Sequence, residues 1–143
     1  MNVETILRNK GGAVATVAPH ATIRDATALL RRERIGALVV SGDATKVEGI
    51  LSERDIVHGL ADRGASLLDA TVDALMTRRV FTCTPRDSVG DLMAMMTEHR
   101  IRHIPVLKDG VLAGIVSIGD VVKHRLDEME YETSSLRSFI AGA

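Results

Sequence analysis

Apolar positions along this chain follow one order, and the order occurs twice. Ile23, Ala26, Leu29 and Leu30 fall at the 3.6-residue spacing of a half-buried helix, and Val89, Leu92, Met93 and Met96 do the same further on. Thr22 with Asp25, and Ser88 with Asp91, stand at capping-box spacing just before each pattern. Two dense aliphatic runs follow each helix, Ala37–Val40 then Val47–Leu51, and Ile104–Leu107 then Val111–Val116. Asp109-Gly110 joins the second pair and predicts a tight hairpin, because both residues tolerate positive φ. Ser52 and Ser117 then open further helices over Glu53–Arg63 and Ile118–Glu130, and short segments Val14–Val17 and Val80–Cys83 precede the whole pattern. Each unit therefore reads β-α-β-β-α.

The two units are copies. Pro19/Pro85, Ile23/Val89, Asp25/Asp91, Leu30/Met96, Arg34/Arg100, Ile35/Ile101 and Val40/Val106 keep an offset of 66. Gly49/Gly114, Ile50/Ile115, Ser52/Ser117, Asp55/Asp120 and Val57/Val122 keep 65, so one residue is lost in the connecting turn. A unit of this size buries little core alone. The expected fold is α/β (α+β), with two β-α-β-β-α repeats packed sheet to sheet about a pseudo-two-fold axis and clefts between them. The boundaries expected are an N-terminal helix at 1–10, repeats at 11–65 and 76–126, and a C-terminal helical extension at 127–143. Thr133 and Ser134 are expected to cap a short terminal helix carrying Leu136, Phe139 and Ile140, which covers the pair's edge or meets another chain.

Composition narrows the function. Among 143 residues, 18 Lys+Arg balance 19 Asp+Glu, and the formal charge of −1 argues against a general nucleic-acid binder. The longest apolar runs are too short to span a bilayer, and charges through the first thirty residues leave no signal-peptide block. The single cysteine, Cys83, excludes an internal disulfide and fits a reducing, cytoplasmic setting. Aromatics at 2% leave few stacking platforms.

The repeated motif Gly-h-h-Ser-x-x-Asp carries the chemistry (h, hydrophobic). A strand glycine admits a ligand or another backbone closely. A carboxylate one turn into a helix can accept two hydrogen bonds from a ribose diol, beside free N–H groups that favour an anion. Ser-x-x-Asp is equally a capping box, so Ser52/Asp55 and Ser117/Asp120 can simply tie down their own helices. Both roles stay open, and they can coexist. His99 and His103 lack a third ligand nearby, so no metal site is expected. Gly114-Ile-Val-Ser117 misses the nucleophile elbow by one position, and neither a Walker A nor a dinucleotide fingerprint is present. No catalysis is expected.

Gly49-Ile-Leu-Ser52-Glu-Arg54-Asp55, Gly114-Ile-Val-Ser117-Ile-Gly119-Asp120, Arg102-His103-Ile104-Pro105-Val106 and Met76-Thr77 together resemble a tandem pair of CBS domains, named after cystathionine beta-synthase. The resemblance covers roughly Val3 to Leu126. It implies a stand-alone regulatory module, not an enzyme, that binds an adenosine-containing ligand such as AMP, ATP, NAD(H) or S-adenosylmethionine, works as a homodimer and acts on a regulated protein. Ser52, Asp55, Ser117 and Asp120 become ribose candidates. Arg102 and His103 become phosphate candidates for the second copy, with Arg54 and Lys10 compensating in the first, where Gly36-Ala37 replaces the cations. Adenine is expected against aliphatic walls drawn from Val17, Val39 and Ile50 in one copy and Val80, Ile104 and Ile115 in the other. A dimeric interaction scaffold with weak or vestigial clefts is the alternative.

Overall fold

The computed structural model describes residues 2–142. Helix α1 (Val3–Lys10) is followed by β1 (Thr16–Val17), α2 (Ile23–Glu33), β2 (Ala37–Val40), β3 (Gly49–Ser52) and α3 (Glu53–Arg63). A 3-10 segment (Gly64–Asp69) and α4 (Val72–Leu75) lead to α5 (Val89–His99), β4 (His103–Lys108), β5 (Val111–Ser117) and α6 (Ile118–Gly142). The first repeat forms a sheet in the order β1-β2-β3, with β1 parallel and β3 antiparallel to β2. The second forms the antiparallel pair β4-β5, turned by Asp109 and Gly110 at φ 52° and 78°.

The strand expected at Val80–Cys83 shrinks to one parallel bridge, Cys83 to Val106. The cause is Pro105. In the first repeat Val39 N–H donates to Ala15 O, and this bond helps carry β1. The positions that match these are Pro105 and Phe81, and proline has no N–H to donate. Only the bonds flanking Cys83 remain, from Cys83 N–H to Pro105 O and from Leu107 N–H to Cys83 O.

Each repeat has its own core. Ile23, Ala26, Leu30, Leu38, Val40, Leu51 and Ile56 fill one, and Val89, Leu92, Met96, Ile104, Val106, Val116 and Val121 fill the other. Met93, expected in the second stripe, is exposed instead. Along β2, Leu38 and Val40 face the repeat's core while Ala37 and Val39, on the opposite face, are also buried. A strand buried on both faces sits between two layers. The other repeat approaches at either end of this strand, where Gly36 meets the His103 ring and, in the loop beyond, where Leu112 N–H donates to Thr45 O.

The leading segments are exchanged between the repeats. α1 precedes the first repeat yet places Val3 and Ile6 in the core of the second, with Val3 and Glu4 N–H donating to Asp87 and Pro85 carbonyls. Leu67, Val72 and Met76, ahead of the second repeat, complete the core of the first, and Val72 and Asp73 N–H donate to Ala21 and Pro19 carbonyls. The motif glycines serve this exchange. A Cβ on Gly49 would lie 2.6 Å from Met76 Sδ, and one on Gly114 would lie 2.6 Å from Leu7 Cδ2.

At the far end, α6 runs unbroken from Ile118 to Gly142. The separate helix expected from Thr133 and Ser134 is absent, because Glu128–Glu132 supply good helix formers with no Gly or Pro to end the element.

Two clefts between the repeats as candidate functional site

Ser52 and Ser117 each end a strand and begin a helix, which puts the Asp one turn later at the mouth of an inter-repeat cleft. Asp55 Oδ2 accepts from Ser52 N–H (2.9 Å) and Ser52 Oγ–H (3.0 Å), while Ser52 Oγ accepts from Asp55 N–H (3.2 Å). Asp120 and Ser117 make the matching reciprocal pair at 2.8 and 3.2 Å. Both motifs are therefore complete capping boxes. In each the cap engages Oδ2, leaving Oδ1 toward other partners; Thr77 Oγ1 reaches Asp55 Oδ1 at 3.4 Å.

The Asp55 cleft has a volume of about 250 Å³ and is walled by both repeats. Ile50, Ser52, Arg54 and Asp55 come from the first, and Thr77, Arg79, Val80, Phe81, Arg100, Arg102 and His103 from the chain beyond it. The Asp120 cleft, of about 670 Å³, is lined by Lys10, Val14, Thr16, Arg32, Arg34, Ile115, Ser117, Asp120 and again His103. Gly36 borders both.

This geometry redistributes the sequence-level candidates. Arg102 lines the cleft that contains Asp55, together with Arg54, while His103 lines both; of the groups expected to serve the second copy, Arg102 is found in the first copy's cleft. Lys10 is in the opposite cleft from the one expected. It donates to Asp120 Oδ2 at 2.6 Å and to Ile115 O at 2.8 Å, since α1 is exchanged onto the second repeat. Ile50 and Val80 share the Asp55 cleft, and Ile115 lines the other. Val17, Val39 and Ile104 line neither; they are buried in the two cores and the layer between the sheets.

Phe81 was missed. Its ring stacks on His99 at 3.9 Å between centroids and 16° between planes, and the Arg79 guanidinium lies 5.5 Å from the ring centroid. A low aromatic content hides it in the sequence, and its position next to Val80, ahead of the second helix, is the signal that marks it. Among the described residues no three His, Cys, Asp or Glu side chains converge as a metal would need.

Electrostatics differ between the clefts. Burial pushes the Asp120 carboxyl up, but the Lys10 ammonium and the Ser117 donors outweigh it and hold the group below the ordinary aspartate range. Burial, and after it the Lys10 charge, pulls the His103 imidazole below its usual value, with Glu53 and Asp120 opposing and Arg102 adding to the fall. The Cys83 thiol is pushed up to about 12 by burial and the nearby Asp87 charge, the opposite of what a nucleophile requires. No helix among the described residues is long and apolar enough to cross a membrane.

Two homologous units, the first β-α-β-β-α and the second with its leading strand reduced to one bridge, each with a Ser-x-x-Asp motif at a cleft, define a tandem-repeat architecture. The CBS domain model matches residues 10–62 and 72–127, and the chain belongs to the CBS domain family. It is 34% identical to a mitochondrial CBS domain-containing protein of Arabidopsis thaliana, over 98% of this chain and 72% of that one. Hypoxic response protein 1 of Mycobacterium tuberculosis is likewise 34% identical, over 78% of each chain. A crystal structure of a CBS-domain containing protein from Agrobacterium tumefaciens superposes with a TM-score of 0.84 at 44% identity, covering 87% of this chain and 99% of that one. The CBS domain pair of protein MJ0100, solved in complex with 5'-methylthioadenosine and S-adenosyl-L-methionine, superposes with a TM-score of 0.77 at 26% identity, covering 86% and 98%.

Proposed function

We propose that this chain is a regulatory module that binds an adenosine-containing ligand of the AMP, ATP or NAD(H) type, with the Asp55 cleft as the principal site. The observation that carries the reading is the pairing, within one cleft, of a carboxylate at a helix N-terminus with Arg54, Arg79, Arg100 and Arg102. A ribose diol suits the carboxylate, and a planar guanidinium grips two phosphate oxygens. Ile50 and Val80 offer apolar walls to the base, and Phe81 offers an aromatic one. The module acts as a homodimer and signals by population shift: ligand favours whichever arrangement of repeats it binds more tightly, and a regulated protein reads the result. The structures of adenosine ligands bound to the related MJ0100 domain pair support the ligand class.

A thermal-shift series with AMP, ADP, ATP, NAD, NADH and S-adenosylmethionine, against guanosine nucleotides, tests this. Ligand at a hundred times its Kd adds about 2.7 kcal/mol to stability and raises Tm. Asp55→Asn keeps one carbonyl oxygen for the Ser52 N–H but loses the charge. It is expected to weaken binding tenfold or more, since a hydrogen bond to a charged group is worth about 1.5–3 kcal/mol. Absence of any adenosine-selective shift at millimolar ligand overturns the proposal.

The Lys10–Asp120 ion pair favours a second reading for the other cleft, that of a vestigial site in an interaction scaffold. There the carboxylate is already neutralised. Lys10→Ala is expected to open it, and a second equivalent of ligand in calorimetry would report the gain.

A further inference from the structure

The C-terminal part of α6 has no contact that explains why it is a helix. Val121 and His124 are its buried residues, and the first turns pack on α1, α5 and β5. From Met129 to Gly142 every residue is exposed. A free segment of that length is marginal as a helix in water, where helices owe most of their stability to packing of an apolar face. Such a face exists. Val122, Leu126, Met129, Leu136 and Ile140 alternate in steps of four and three, with Thr133 filling the remaining place, and the apolar members are each more than half exposed. This is the spacing of an a/d seam, with Leu126, Thr133 and Ile140 at a and Val122, Met129 and Leu136 at d. At 3.6 residues per turn it lies about 130° around the helix from Val121 and His124, so it points away from the body.

We infer that this seam pairs with the α6 seam of a second copy as a parallel, in-register two-stranded coiled coil. The charges flanking the seam choose both the occupant and the direction. In that arrangement each g residue lies opposite the e residue five places on in the partner. Arg125 then faces the partner's Glu130, and Glu132 faces the partner's Arg137. Both pairs are opposite in sign, and symmetry makes each occur twice. Within its own chain Arg125 pairs with Glu128 at 2.9 Å, on an exposed face from which it can be shared. The seam from Val122 to Ile140 runs about 27 Å, enough for more than two heptads. The inference deepens the homodimer reading by fixing which surface pairs and that the two modules lie side by side, head to head.

The test uses the full chain in two single variants, Leu126→Cys and Leu136→Cys, oxidised mildly after the mass has been measured by sedimentation. Both side chains are exposed, so folding is unaffected, and Cys83 is too buried to compete. A disulfide needs Cα atoms within about 7 Å. Only a parallel, in-register pair brings both positions against their own copies, because they stand about 15 Å apart along the helix. The expected result is a dimer in which each variant cross-links nearly completely. Arg137→Glu should weaken self-association several-fold and Glu132→Arg with Arg137→Glu should restore it. A dimer in which only one position or neither cross-links overturns the parallel seam and leaves the homodimer standing; a monomer at micromolar concentration overturns both. Nucleotide shifts in Tm are read separately in the same samples and belong to the cleft reading alone.

Discussion

Asp120 and His103 show how the environment of a single residue becomes a property of the whole protein. The Asp120 carboxyl is held low in the folded state, so its contribution to stability is complete above the unfolded aspartate value near ~3.9 and fades as pH falls through the lower folded value. The Lys10→Ala variant removes its main partner and should lose less stability than the native chain on acidification below about pH 4. His103 is also lowered, which for a base has a related sign. Between its folded value and about 6.5 the unfolded chain holds the extra proton, so stability rises with pH across that window and is lost on acidification. Urea denaturation between pH 5 and 8 should show that slope, and His103→Gln should flatten it. An unchanged slope would mean that another group carries the titration.

Among the elements, the exchanged leaders set the strongest requirement. Gly49→Ala would drive a Cβ against Met76 Sδ and to 3.0 Å of Thr77 O, and a backbone oxygen cannot swing aside as a thioether can. Overpacking of this kind costs about 1–3 kcal/mol and is measurable as a lower denaturation midpoint at unchanged m-value. Most elements were legible because the repeat doubles every signal: a helix pattern seen at Ile23 and again at Val89 leaves little doubt about either. The clefts were half legible. Ser-x-x-Asp and its two competing roles stood in the sequence, and both capping boxes formed. What could not be read was which repeat faces which cleft, because Arg102 and Lys10 reach their positions through the packing of one repeat on the other, which leaves no periodic trace. The loss of a strand at Val80–Cys83 hinged on one missing N–H at Pro105, about twenty residues away. The terminal helix differs for another reason: Thr133 and Ser134 cap well in isolation, but nothing from Glu128 to Glu132 ends the helix before them.

For the whole molecule, the interleaved cores mean that neither half is self-sufficient. Removing the segment through Lys10 takes Val3 and Ile6 out of a core built otherwise from Cys83 to Val121. Hydrogen exchange should then accelerate in α5, β4 and β5 well before it does in α2 and β2. Equal acceleration in both repeats would show that they unfold as one unit. His103 and Gly36 border both clefts. If anions were held in both clefts, each would act on the same imidazole, and by linkage each would alter the other's affinity by the same factor.

The exchange of leaders also orders events in time. Chains leave the ribosome from their N-terminus and domains tend to fold in that sequence. The first repeat obtains its last core residue, Met76, before α5, β4 or β5 has been made. Helix α1 has by then long been exposed, but the strand that will cover Leu7 ends only at Ser117. Helix α1 is therefore made before either repeat but sheltered only with the second, and Val3 and Ile6 wait in solvent until β5 is in place.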